Sequence, residues 1–145
     1  METNKFTLKI PSRSCNESFA RVTVAAFATG LDPTLEEISD IKTSVSEAVT
    51  NCSVHAYPNS IGVIYISCEI LKDNVLKIKV RDKGCGIADI EQARQPLFTT
   101  GGEERAGLGF AVMESMMDSV SVRSKMGKGT TVTMKKKINR KDDAR

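Results

Sequence analysis

Three short stretches of this sequence set reactive or ligand-holding residue types at spacings that suggest chemistry. In SEAVTNCSVHAY, Glu47 and Asn51 stand four residues apart and so share one face of any helix that carries them. A carboxylate there can accept a proton, and a carboxamide can offer a hard oxygen to Mg²⁺, a cation that takes oxygen ligands and few of them from protein. Read alone, the pair also fits an ordinary polar surface. In RDKGCGI a strand-like run ends at Asp82, and Gly84 and Gly86 follow at spacing two. Such glycines let backbone approach a planar ligand closely, while a buried aspartate accepts a hydrogen bond from an exocyclic amine, although tight turns use the same pattern. In TTGGEERAGLGF, Gly101 and Gly102 begin, and Gly107 and Gly109 end, a segment that leads into a helical pattern. A helix N-terminus offers free N–H groups and a positive dipole end to a phosphate, and Arg105 just before it can meet a terminal phosphate bidentately. Neither GxxxxGK[ST] nor GxGxxG at a strand-helix junction occurs.

The elements that must position these residues follow from periodicity and punctuation. Residues 6–10 (FTLKI) alternate as a strand stopped by Pro11. Ser14 and Glu17 match a capping box for a helix over about 15–29 that ends at Gly30, and Thr34 with Glu37 matches a second one for a helix reaching about Ala56. In that second helix Ile38, Ile41, Val45, Ala48, Val49 and Cys52 form the apolar stripe, and Glu47 and Asn51 lie more than about 90° away from it. Residues 63–71 and 75–81 read as a hairpin around Lys72-Asp73-Asn74. The glycine-rich stretch 82–109 is long for a plain connection, with a short helical piece near 90–94, and such loops are usually functional. A helix over about 108–118 and strands over 120–124 and 130–135 complete the pattern, which predicts an α+β two-layer sandwich with helices on one face.

Composition narrows the classes. At 145 residues, 40% hydrophobic and 27% charged, the chain suits one soluble domain, here 1–137 followed by a basic, disordered tail over 138–145. No apolar run approaches the roughly 20 residues of a membrane span, and METNKFTLKI lacks the pattern of a signal peptide, so a cytoplasmic protein is expected. Cys15, Cys52, Cys68 and Cys85 are spaced singly, as reduced small hydrophobes rather than a metal or disulfide framework, and His55 reads as a packed helix-end histidine. Residues 135–145 carry six of the 21 Lys/Arg, leaving a body near neutral, and aromatics are 5%. That argues against direct nucleic-acid binding, for which a basic face with aromatic or arginine readers is expected.

Taken together, a Glu/Asn helix, DxGxG after a hairpin, a glycine-bounded segment with GLG before a helix, and a GTT strand resemble the GHKL (Bergerat-fold) ATPases. Within that superfamily residues 6–137 resemble the anti-sigma F family of endospore-forming bacteria, most specifically in NESFARVTVAAF, IKTSVSEAVTN, ARQPLFTT and VMESMMDSVSV. The resemblance implies the Bergerat fold with a mixed sheet, Mg²⁺ and ATP as cofactors, and a homodimeric serine protein kinase. Its implied partners are a sigma F factor, which it inhibits, and an anti-anti-sigma substrate, with no membrane partner. It implies Glu47 as general base, Asn51 as Mg²⁺ ligand, and Asp82 at adenine with Gly84, Gly86 and Thr130. It also implies that Arg105, Gly107 and Gly109 hold the γ-phosphate, that Thr99, Thr100 and Leu108 line the nucleotide, and that Arg21 with Glu17 makes the partner contact. A lid over about 96–106 is expected to order over a triphosphate. Alanine at position 56 departs from the glycine common among relatives. Three alternatives stay open at this point: a histidine-kinase catalytic domain, a module in which ATP is only structural, and an anti-sigma kinase for a stress sigma factor.

Overall fold

The computed structural model describes residues 4–87 and 103–138. Strand β1 (Lys5–Pro11) leads to α1 (Asn16–Ala28), a 3₁₀ turn, and α2 (Leu35–Thr50), which continues without a break as a π-helical segment, Asn51–Ala56. The hairpin β2 (Val63–Leu71) and β3 (Val75–Asp82) follows, and α3 (Glu103–Met116), β4 (Ser119–Lys125) and β5 (Gly129–Lys137) close the fold. The order in the single sheet is β1-β2-β3-β5-β4. All four pairings are antiparallel, where a mixed sheet was expected. The reason is placement: β4 runs parallel to β3, but β5 turns back from it and inserts between them. Among the described residues no helix is long and apolar enough to cross a membrane.

The two predicted capping boxes part company. Thr34 is extended (φ −74°, ψ 166°), its hydroxyl accepts from Glu37 N at 3.1 Å, and Glu37 Oε1 accepts from Thr34 N at 2.8 Å. Ser14 forms no such box. The residue before α1 is Cys15, already in the helical region, and a capping side chain works from extended backbone. Asn16 instead donates its side-chain amide to Pro11 O at 2.9 Å, and its backbone N–H goes to Arg13 O. At the other end α1 stops at Ala28, and the 3₁₀ turn Thr29–Leu31 carries the helical run past Gly30 to Asp32, which takes the left-handed conformation (φ 54°). The β2–β3 turn uses the same device, with Asp73 and Asn74 at φ 64° and 59°.

One face of the sheet is apolar and covered. Ile64, Ile66, Leu76, Ile78, Val80 and Met134 meet Val24, Ile41, Val45 and Val49 of the first two helices and Phe110 and Met113 of α3, all essentially buried. Each such side chain contributes about 1.5–3 kcal/mol relative to exposure, enough to outweigh weak local propensities. Residues 136 and 137, beyond the expected end of the last strand at 135, are the last residues of β5. Lys136 Nζ donates to Met116 O at 2.7 Å and lies 3.4 Å from Asp40, while Ile138, placed in the tail, is fully buried with its N–H on Asn74 O. All four cysteines are free.

The difference between the caps is measurable. Thr34→Ala should lower the urea unfolding free energy by about 1 kcal/mol, whereas Ser14→Ala should change it by less than about 0.5 kcal/mol. Equal losses would show that the first box forms in solution.

Candidate nucleotide-binding site

Glu47 stands one turn before the end of α2, and Asn51 opens the π segment. A π turn inside a helix widens the backbone and frequently marks a functional site. Both side chains are half-buried, but they do not form the free surface that their angle from the apolar stripe suggests. Helix α3 lies across them: a Cβ added at Gly109 would stand 3.0 Å from Glu47 Oε2 and 3.5 Å from Asn51 Oδ1. A side chain there would require the Glu47 carboxylate to give way by a few tenths of an ångström. The Nδ2 of Asn51 is buried there with no hydrogen-bond partner among the described residues. An orphaned buried amide costs about 1–3 kcal/mol, so a ligand that engages it recovers that free energy.

The next residue, Cys52, links this wall to the second motif. Asp82 is 6% exposed at the end of β3, and its Oδ1 accepts from Gly84 N at 2.9 Å and Thr130 N at 3.2 Å. Among the described residues its Oδ2 faces only the Cys52 thiol, at 3.6 Å, which is a weak donor. Burial pushes the Asp82 carboxyl above its usual value of 3.8, opposed by the Gly84 and Thr130 amides and the thiol. Burial and the neighbouring carboxylate push Cys52 well above 9.0, so it remains a thiol. One oxygen of a buried carboxylate is therefore left to a weak partner that an amine can replace. Thr130 is tied in twice, since its hydroxyl also pairs with Ser124 Oγ at 2.8 Å.

The loop after Asp82 is built on close approach. A Cβ on Gly84 would collide with the Ala56 carbonyl, and Gly86 sits at φ 81°. Cys85 N donates to Ala56 O at 3.1 Å, so Ala56 is accommodated with its own backbone as the contact. Tyr57 accepts from Lys83 N at 2.7 Å and donates to Val63 O at 2.8 Å, bracing the loop from the side.

Helix α3 begins at Glu103, earlier than the expected start near 108. Gly107, Leu108 and Gly109 are thus helical, and a regular helix spends their N–H groups on carbonyls four residues back. Arg105 belongs to the same helix, and Leu108 is 51% exposed. Thr99, Thr100, the predicted piece near 90–94 and the lid as far as Gly102 lie outside the described residues. Arg21 is on α1, paired with Glu17 at 3.0 Å and partly exposed. The structure thus brings together Glu47, Asn51 and Gly109, and separately Asp82, Gly84 and Thr130, with Cys52 between the groups. Cys52, Ser124 and Tyr57 escape a reading by motif. Their side chains become informative only through partners distant in sequence, although Ser124 shares the turn that precedes the GTT strand.

A helix-end wall facing a buried aspartate and a glycine loop define a histidine kinase-like ATPase domain, and the family of that description matches residues 11–136. Solved structures agree at the level of fold. The blue-light activated histidine kinase of Erythrobacter litoralis EL346 superposes with a TM-score of 0.60 at 18% identity, covering 84% of this chain and 42% of that one. In sequence the chain is 61% identical over 138 residues to an anti-sigma F factor of Caldanaerobacter subterraneus subsp. tengcongensis, covering 94% of this chain and 96% of the relative. It is 55% identical over 139 residues to the anti-sigma F factor of Clostridium acetobutylicum, covering 95% and 96%. The chain belongs to the anti-sigma F factor family of the histidine kinase-like ATPases.

The raised carboxyl has a signed consequence. A folded value above the unfolded one means that the contribution of Asp82 to stability is largest below the ordinary carboxylate range and falls as pH rises through the folded value. Asp82→Asn should therefore gain stability relative to the unaltered protein between about pH 3 and pH 7. Urea unfolding across that range checks it, and a constant difference would refute the shift.

Proposed function

We propose that this chain is an ATP-dependent protein serine kinase that also acts as an anti-sigma factor, holding a sigma F factor inactive and phosphorylating the anti-anti-sigma protein that opposes it. The observation that carries the reading is the buried, half-satisfied carboxylate of Asp82, joined through Cys52 to the Glu47/Asn51 wall. The names of the relatives supply the partner class.

In this reading Asp82 Oδ2 accepts the adenine amine in place of the Cys52 thiol, Gly84 and Gly86 give the base access to backbone, and Thr130 supports the carboxylate through its amide. Asn51 suits Mg²⁺: its oxygen is a hard donor, and its orphaned Nδ2 can take a phosphate oxygen. Mg²⁺, when bound, neutralises charge on the β- and γ-phosphate oxygens. Glu47 takes the proton of the acceptor serine as its hydroxyl oxygen bonds to the γ-phosphorus, while the bond to the bridging oxygen breaks and ADP leaves with that electron pair. Arg105 and the Gly107 and Gly109 amides hold the γ-phosphate, with Leu108, Thr99 and Thr100 lining the nucleotide. That role requires the first turns of α3 to give up helical hydrogen bonds, which its two glycines favour. Arg21, with Glu17, belongs to the partner contact on α1, and the working unit is a cytoplasmic homodimer.

Incubation with labelled ATP and an anti-anti-sigma protein should give acid-stable phosphoserine, and acid-labile phosphohistidine would favour the histidine-kinase alternative. Glu47→Ala should cut transfer by about 100-fold or more with nucleotide binding retained. Asn51→Ala should weaken Mg-ATP itself, and calorimetric titration separates the two. Arg21→Glu should weaken sigma and substrate binding together by about 100-fold or more, because a reversed charge at an interface costs several kcal/mol. Nucleotide affinity should stay unchanged, and survival of both protein contacts would place the interface elsewhere.

A further inference from the structure

The face of the sheet that the helices leave open is strongly basic. Along β3, Lys77, Lys79 and Arg81 occupy alternate positions of one face. The rows continue across the sheet: Lys77 stands opposite Lys135, Lys79 opposite Thr133, and Arg81 opposite Thr131, which in turn faces Arg123. With Ser119 and Ser121, these side chains line a shallow groove of about 550 Å³ that includes no acidic residue. Outside the groove lining, Glu69 on β2 stands across from Lys77, and Asp118 flanks Lys135, donating its N–H to the Lys135 carbonyl at 2.9 Å. A formal net charge of +3 therefore conceals a polarised body.

This arrangement works against the free fold. Like charges directly opposite on neighbouring strands are destabilising, and Lys77 and Lys135 form such a pair, although nothing in sheet formation calls for it. An anionic occupant turns that cost into attraction. We propose that this open face docks an acidic helix of a partner protein. The spacing fits. Alternate residues of β3 lie about 6.6 Å apart along the strand, and carboxylates at i and i+4 of a helix lie about 6 Å apart along its axis. A second copy packed face to face would oppose the same cations to each other across a two-fold axis. Single-stranded nucleic acid is bound on exposed aromatic platforms. The groove has none, and the Tyr65 ring beside it is already occupied by Arg81 at 4.8 Å, Lys83 at 5.2 Å and Lys9 at 5.6 Å.

The inference is independent of the kinase reading, and its test needs no turnover. A labelled helical peptide with glutamate at every fourth position should bind the full chain saturably at about 0.15 M salt and lose affinity as salt rises. Lys79→Glu/Arg123→Glu should weaken it tenfold or more, and Lys79→Ser/Arg123→Ser should do so to a smaller extent. Lys42→Glu, on the helical layer, should leave it within twofold. Lys135→Thr, which removes the like-charge pair and leaves Lys77 opposite Glu69, should weaken the peptide yet raise the unfolding midpoint of the free protein, a combination that a merely structural lysine would not produce. Equal loss in Lys42→Glu would reduce the effect to net charge and overturn the site. Tighter binding of a single-stranded oligonucleotide of equal charge, lost in the same variants, would overturn the protein occupant. So would a groove variant that shifts self-association in sedimentation without affecting the peptide.

Discussion

Most of this site depends on one buried carboxylate. Asp82 ends the central strand β3 where water is excluded, and an ionised group there is tolerated only if its oxygens are engaged. Two amides, from Gly84 and Thr130, and the Cys52 thiol meet that demand. Each partner comes from a different element, so the requirement of a single side chain fastens the end of α2, the loop after β3 and the start of β5 to one point. The close packing of the loop on Ala56 follows, because only glycine at position 84 lets the chain turn back to present its N–H.

The same demand explains the unusual end of α2. A regular helix would carry its 3.6-residue geometry through to Ala56, whereas the π turn widens the backbone between Asn51 and Ala56. Cys52 reaches Asp82 from within this segment, and Asn51 sits at its start, under Gly109. A helix wall and an aspartate loop thus act as one unit, and the Asn51 amide, orphaned among the described residues, is the cost of that arrangement. Within the chemistry proposed for this chain, such a group is a source of binding free energy.

Charge follows a different logic from packing. The apolar side of the sheet decides which residues alternate inward, and every other residue is carried outward whatever its charge. Lysines and arginines scattered over β3, β4 and β5 therefore gather on one face by register alone. The helical layer bears Glu36, Glu37 and Asp40 on α2, so the molecule is electrically two-sided with a formal net charge of only +3.

By itself the sequence determined the elements whose signals are local. The Thr34/Glu37 box, the hairpin over 63–81, the apolar stripe of α2 and the family-specific stretches needed no tertiary information, since each rests on neighbours within a few residues. Ser14/Glu17 satisfied the same rule and failed, because the turn from Pro11 to Asn16 sets the backbone before the cap can form. Only the fold decided that β5 would insert between β3 and β4, that α3 would begin at Glu103 and cover Glu47 and Asn51, and that Cys52 would face Asp82. Those outcomes join residues dozens of positions apart. They are set by which apolar faces can be buried together, a quantity that exists only once the chain has closed on itself.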